Sequence, residues 1–449
     1  MTTTLRSPAT APGARPLLGH ALEMKRRPGD LLLSLQRTGE PVCALRLGRR
    51  RVYVVNDPGL IRRVQREPDV FARGGPVTER FRRMFGNGLG TSEGEFHRRQ
   101  RALIQPAFHH TGIVRHAAGM SALAAAAAAS WHDGQRLAVE REMDDLALAN
   151  VTQAIFAADT PLDRRLFMAA TTVVLGGLFR RVTGGTGPAA RLPTPAEHRY
   201  RRAEKHLRRT IERVIADYRA DGADRGDLLS MMMLARDDDG TPAMTDRQLH
   251  DEVMTFFIGG SNTVSNTLAW TFHEVSVHPG VEERLHAEVD AVLDGRPAGY
   301  DDVRALAYTR RVLTETLRVR TQGLFLSKVT ARDAELGGYL IPAGSPVLYS
   351  FHALNHNPDI HPDPESFLPD RWLPARVRDL PRGAFMPFGV GPHACIGDQF
   401  AWTEMIITLA TIAARWRLAA VPGHTPRPRP AITMPVDSLP MIAHRRSAR

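Results

Sequence analysis

The segment that most constrains this chain lies near its C-terminal end: Pro387-Phe388-Gly389-Val390-Gly391-Pro392-His393-Ala394-Cys395-Ile396-Gly397. Its glycines and prolines exclude a regular helix or strand, so the segment must form a tight loop. The residues that follow, Asp398 to Ala414, read as a helix. A cysteine there presents its sulfur from a rigid loop near a helix N-terminus, where free N–H groups and the helix dipole favour thiolate. Backbone N–H groups of such a loop can keep the sulfur anionic and tune a metal bound to it. On spacing alone, the run serves equally well as a glycine-rich turn around a buried free thiol.

Only two cysteines occur, Cys43 and Cys395, which excludes a disulfide framework and points to a reducing, cytoplasmic compartment. Cys43 lies in the strand-like run Val42-Cys43-Ala44-Leu45 and reads as a small core residue. Hydrophobic residues make up 43%, enough for a sizeable core. The net charge of +11 is spread over segments such as Arg49-Arg50-Arg51 and Arg98-Arg99, with no arm or recognised module. That distribution argues against nucleic acid and for a face that docks an acidic electron-transfer protein. No run approaches the roughly 18–20 apolar residues that span a bilayer, so no membrane insertion is expected. Met1 to Pro16 lacks the apolar core of a secretory signal.

Residues 1–15 read as a flexible lead-in and 16–449 as one domain. The expected elements are a helix over Pro28–Arg37, then β-runs Val42–Leu47 and Val52–Val55 joined by a turn at Gly48-Arg49-Arg50-Arg51. A mostly helical stretch follows from Pro58 to Arg236, including the alanine-rich Ser121–Ser130, a Gly/Pro-rich break over 184–195 and a basic helix, Ala196–Ala220. Thr245 and Gln248 form a capping-box pair at the start of a long helix that Pro279-Gly280 ends after Val277. Beyond it come a helix over Val303–Arg320, β-runs over Glu335–Ile341 and Val347–Ser350, and an irregular stretch from Pro358 to Pro387. The fold class is mainly α with small β-sheets.

The Cys395 loop resembles the haem-binding loop of the cytochrome P-450 family, Phe-Gly-x-Gly-x-(Arg/His)-x-Cys-x-Gly, at every fixed position. The resemblance implies that Cys395 is the axial thiolate of haem iron and that His393 reaches a haem propionate. Phe388 would cover the proximal face, and Gly389, Gly391 and Gly397 would permit close approach. Other motifs resemble the family in order and spacing. Glu315-Thr316-Leu317-Arg318, alone no more than a surface ion pair, together with Phe367-Leu368-Pro369-Asp370-Arg371-Trp372 implies a buried triad of Glu315, Arg318 and Arg371. His97 and Arg101 share a helix face and would hold a propionate, although in isolation they read as a solvated basic helix. Lys328 stands where many members carry another propionate-binding arginine.

Gly259-Gly260-Ser261-Asn262-Thr263-Val264 would lie in the long helix, where each glycine costs about 1 kcal/mol relative to alanine. The family's reason is a helix distorted over the haem, with Thr263 helping to protonate bound oxygen. Asn262 stands where the family usually has an acid; an amide can orient water but cannot carry the proton. Gln322-Gly323-Leu324-Phe325-Leu326, with Phe256, would line an apolar pocket; Leu324, Phe325 and Leu326 serve equally as core filling. His352, His356 and His361 could suggest a non-haem metal, but Pro358, Pro362 and Pro364 break any helix there and no carboxylate pattern fits.

The resemblance implies a triangular, mostly α fold with haem b between the long helix and the Cys395 loop. It implies a monomeric monooxygenase that inserts one oxygen atom from dioxygen into an apolar small molecule, a terpenoid first among the candidates. NAD(P)H would act only through a ferredoxin and a ferredoxin reductase, because no flavin, nicotinamide or iron–sulfur fingerprint occurs. Asn262 keeps peroxide-driven or non-hydroxylating chemistry open as an alternative, and a non-catalytic haem-binding protein is the other.

Overall fold

The computed structural model describes residues 6–156, 163–183, 194–222, 224–237, 239–429 and 431–446. Ten strands form three small sheets among them: β1 (Val42–Leu47), β2 (Arg50–Val55), β3 (Phe71–Ala72), β4 (Gln135–Ala138), β5 (Leu326–Thr330), β6 (Ala334–Leu336), β7 (Tyr339–Ile341), β8 (Pro346–Tyr349), β9 (Trp416–Ala420) and β10 (Pro440–Arg445). The largest sheet runs β1-β2-β8-β5-β3, the second β4-β10-β9, and β6-β7 is a hairpin. Helices make up most of the rest, as the fold class expected.

Local chemistry explains the main boundaries. Thr245 N–H donates to Gln248 Oε1 at 2.6 Å, and Gln248 N–H donates to Thr245 Oγ1 at 3.3 Å. This capping box starts a 32-residue helix, Asp246–Val277, and Pro279 begins the next helix at its first position. The basic helix runs Pro195–Asp221 between a Thr194 cap and a left-handed Gly222. The turn between β1 and β2 is shorter than expected: Leu47 pairs with Arg50, so only Gly48 and Arg49 remain in it. Two residues suffice because Gly48 adopts a φ of 62°.

The described part of the lead-in, expected to be flexible, pairs with two strands: Arg6 bridges Tyr339 of β7 and Thr10 bridges Ala44 of β1. Ala11 N–H donates to Ala44 O at 2.8 Å and Ala44 N–H to Ala9 O at 2.9 Å, which satisfies the edge of that strand. One helix, Arg164–Thr183, is long and apolar enough to cross a membrane, contrary to the reading of the sequence. Its Phe167, Val174, Leu175 and Leu178 are buried within the protein, which accounts for an apolar surface on most of its circumference. The Gly/Pro-rich break over 184–195 lies mostly outside the described residues.

The largest core cluster joins the C-terminal half of the long helix (Val264–Val275) to the final helix, Asp398–Arg415, through Ala410, Ile406 and Leu313. A second gathers Phe256, Phe257 and Val151 with Phe167 and Leu207. The long helix is therefore the spine against which both cores pack.

Candidate active site

Gly389 and Gly391 have φ of 69° and 78°. A Cβ at Gly391 would fall 2.8 Å from Gln65 O, so the loop can seat against the helix Pro58–Arg66 only with glycine there. Gln65 Oε1 accepts from Val390 N–H at 3.1 Å, and Cys395 N–H donates to Phe388 O at 2.8 Å. Phe388 packs at a tilt on Trp402, with ring centroids 5.7 Å apart, in the second turn of the final helix. Cys395 is solvent-accessible yet ringed by protein atoms, as befits a side chain on the wall of an internal space. Burial raises its thiol pKa, and the Gly397 N–H opposes this without overcoming it.

Beside the loop, five bases from four segments converge, two of them on the helix Gly94–Ile104. The rings of His97 and His393 meet edge-on with centroids 4.3 Å apart, and Lys328 Nζ lies 3.1 Å from His393 Nδ1. Arg101 donates to Ala394 O at 2.6 Å, and Arg73 donates to Leu89 O at 2.7 Å. Burial first, and then repulsion among these cations, lowers His393 to about 2, His97 to about 4 and Lys328 to about 8. Burial lowers even Arg73, to about 10. One carboxylate, Glu93, touches the group, accepting from Arg73 N–H at 2.8 Å and lying 3.6 Å from His393 Nε2. Gln100, one turn after His97, is fully buried with both amide atoms unpartnered. Such a cluster is held against its own repulsion and is suited to an anionic group. Sequence reading missed Arg73, Glu93 and Gln100: no motif marks an arginine behind a two-residue strand.

Glu315, Arg318 and Arg371 come together. Arg318 grips Glu315 through two bonds of 2.9 and 2.7 Å and donates to the carbonyls of Asn355, Pro364 and Ser366. Glu315 also accepts from Leu368 N–H, Arg371 Nε and Trp372 Nε1. Both members of the central pair are fully buried. The network ties three separate turns of the irregular stretch to the helix Ala307–Val319.

The long helix runs without a break in its assignment across its glycines. Its paired glycines have different surroundings. A Cβ at Gly259 would meet nothing within 4 Å, whereas one at Gly260 would lie 2.7 Å from Val151 Cγ2 on the helix Val139–Phe156. Gly259 is exposed although its neighbours along the helix are mostly buried, so it borders an internal space. Thr263, one turn on, donates its hydroxyl to Gly259 O at 2.7 Å. Asn262 is buried and turned elsewhere: its Oδ1 accepts from Thr433 Oγ1. Phe256 packs at 5.6 Å from Phe108. A Cβ at Gly29 would lie 3.6 Å from Leu324, and Phe325 packs on the cluster of β1, β2 and β8. Leu326, 48% exposed, shares a strand face with Lys328. His352 and His356 stack at 4.4 Å, and no group of three metal-ligating side chains occurs among the described residues.

These features fit haem: an accessible buried thiol, a cationic cradle with an unpartnered buried amide, and an open helix face at Gly259. Comparisons with known proteins agree. The sequence profile of the cytochrome P450 family matches residues 8–439. The chain is 42% identical over 440 residues to a cyclooctat-9-en-7-ol 5-monooxygenase of Streptomyces melanosporofaciens, covering 97% of this chain and 95% of that one. It is 41% identical over 448 residues to a cyclooctatin synthase of the same organism, covering 98% and 97%. It is 40% identical over 422 residues to a pentalenene oxygenase of Streptomyces avermitilis, covering 93% of each. The crystal structure of the cytochrome P450DA haem domain superposes with a TM-score of 0.87 at 26% identity, covering 99% of both chains. With the haem-loop motif, the cationic cradle and full-length likeness in agreement, the chain belongs to the cytochrome P450 family, as a haem-dependent monooxygenase.

Proposed function

We propose that this monooxygenase oxidises a cyclic terpenoid and draws its electrons from NAD(P)H through a separate ferredoxin and ferredoxin reductase in the cytoplasm. The observation that carries the substrate reading is the likeness, over nearly the full length, to enzymes named for cyclooctat-9-en-7-ol and pentalenene. The apolar wall that Phe256 and Phe108 contribute beside the long helix supports the same substrate class. Free cysteines and a net charge of +11 support the compartment and the acidic electron donor.

In this reading Cys395 would supply the thiolate to haem iron, while His97, Arg101, Lys328, His393 and Arg73 would hold the propionates. Bound haem supplies oxygen activation, which a thiolate ligand favours by pushing electron density to the iron. The protein's part is positional. Gly389, Gly391 and Gly397 let the Cys395 loop lie close, and Phe388 shields it on the Trp402 side. Glu315, Arg318 and Arg371 clamp the polypeptide leading into it. Gly259 leaves room above, and Gly260 lets the helix Val139–Phe156 pack behind. Thr263 Oγ1, which donates to Gly259 O, can turn its proton toward the open space and recover it from water.

The test supplies pentalenene and cyclooctat-9-en-7-ol, each with NADPH, a surrogate ferredoxin and its reductase, under isotopically labelled dioxygen. An oxidised terpenoid carrying one labelled oxygen is expected. Labelled product from fatty acids or polyketides alone would overturn the substrate class. Unlabelled product would point instead to peroxide-driven or rearrangement chemistry.

A further inference from the structure

The amide at position 262 does not face the open side of the long helix. Asn262 Oδ1 accepts from Thr433 Oγ1 in the segment before β10. Asn266, one turn later on the same face, completes a second attachment: its Nδ2 donates to Thr433 O at 2.8 Å and to Gln322 Oε1 at 2.9 Å, and its Oδ1 accepts from Val436 N–H at 3.3 Å. Gln322 in turn donates to Thr267 Oγ1 at 3.2 Å. The two loops so gathered also touch one another, since a Cβ at Gly323 would fall 3.0 Å from Ile432 O. Ile432 packs on the core cluster that holds Phe256 and Ile258.

From this geometry we infer that Asn262 is a positioning residue: with Asn266 it locks the 431–436 segment to the long helix, so that Ile432 stands as a fixed wall of the substrate space. It accounts for an amide where the family usually has an acid. A partner for Thr433 needs an acceptor, and a buried neutral one avoids the desolvation cost of a charge. Asn266 reaches both loops, and Asn262, one turn earlier on the same face, adds a second hold on the 431–436 segment. Asn262 then takes no part in proton delivery, and Thr263 is recharged by water from the open side.

The assignment builds on the monooxygenase site and not on the terpenoid reading, so its first measurement uses no substrate. Amide hydrogen exchange is followed over residues 431–436 in the haem-loaded protein. Thr433→Val and Asn262→Leu should each raise exchange at Val436 about tenfold, the effect of losing roughly one hydrogen bond. The double variant should do no more than either alone. Asn262→Asp retains an acceptor, and burial should hold the new carboxyl neutral, so wild-type protection should persist. Binding of 4-phenylimidazole should weaken several-fold in Thr433→Val and Asn262→Leu and be unchanged in Asn262→Asp. With pentalenene as probe, the same two variants should change the ratio of oxidation sites while the fraction of dioxygen lost as peroxide stays put. A proton-relay role predicts the reverse: Asn262→Asp lowers peroxide release and Thr433→Val is silent. Either that pattern or unchanged exchange in Thr433→Val overturns the inference. Because Thr433 sits on a half-buried loop, it keeps the test open should Asn262→Leu fail to fold.

Discussion

Alanine at 259 and alanine at 260 should have opposite effects, although the two glycines are adjacent in one helix. Replacing glycine by alanine in a helix interior stabilises by about 1 kcal/mol, largely by restricting the unfolded chain. At Gly259 nothing within 4 Å opposes the added methyl, so Gly259→Ala should gain that amount. At Gly260 the methyl lies 2.7 Å from Val151 Cγ2. Val151 is β-branched, and in a helix it has one strongly preferred rotamer, so it cannot swing aside. Overpacking of this kind costs about 1–3 kcal/mol, which cancels or exceeds the propensity gain. The two variants should therefore differ by about 1–3 kcal/mol in urea unfolding followed by circular dichroism. Val151→Ala should restore Gly260→Ala more than it costs by itself. Turnover should separate the other way: Gly259→Ala projects a methyl into the open space and should oxidise substrate poorly despite its stability. Equal unfolding midpoints, or no rescue by Val151→Ala, would refute the assignment of Gly260 to packing and Gly259 to the open face.

Three further outcomes are expected. Glu315→Gln leaves one acceptor oxygen for donors now shared between two, which include both Arg318 bonds, Leu368 N–H and Trp372 Nε1. Stranding the buried Arg318 charge should cost about 3–5 kcal/mol, and the purified protein should lack the red-shifted band of its reduced carbon monoxide complex. Arg73→Gln removes one of the five bases, so haem should pass to excess apomyoglobin about tenfold faster or more, as for a lost charge-assisted bond. Burial holds the Glu404 carboxyl up at about 8, with only Asn150 opposing. The folded state thus binds that proton more tightly than the unfolded chain. Its stabilisation is complete below the ordinary carboxylate range and is lost as pH rises toward 8, with a slope of up to about 1.4 kcal/mol per pH unit. Glu404→Gln should flatten the melting temperature between pH 5 and pH 8; an unchanged slope would assign it to other groups such as Glu252, which burial raises to about 7.

Much of the site can be read from the sequence because its chemistry is local. The Cys395 loop needs left-handed glycines where it meets Gln65, and the glycines stand in the pattern. The capping box at Thr245 and the i,i+3 pair Glu315 and Arg318 are likewise one-turn features. Arg73 and Gln100 escaped notice because their roles arise from segments that meet only in space.

The sequence by itself determined the Cys395 loop, the long helix and the mainly α class, because turn chemistry, capping and helix periodicity act over a few residues. Only the tertiary structure decided that Gly259 faces open space while Gly260 faces Val151, that Arg73 joins the cationic cradle, and that Asn262 turns to Thr433. Those outcomes depend on which element packs against each side of a helix. Side chains one residue apart point about 100° away from each other around that helix, so their neighbours come from distant parts of the chain.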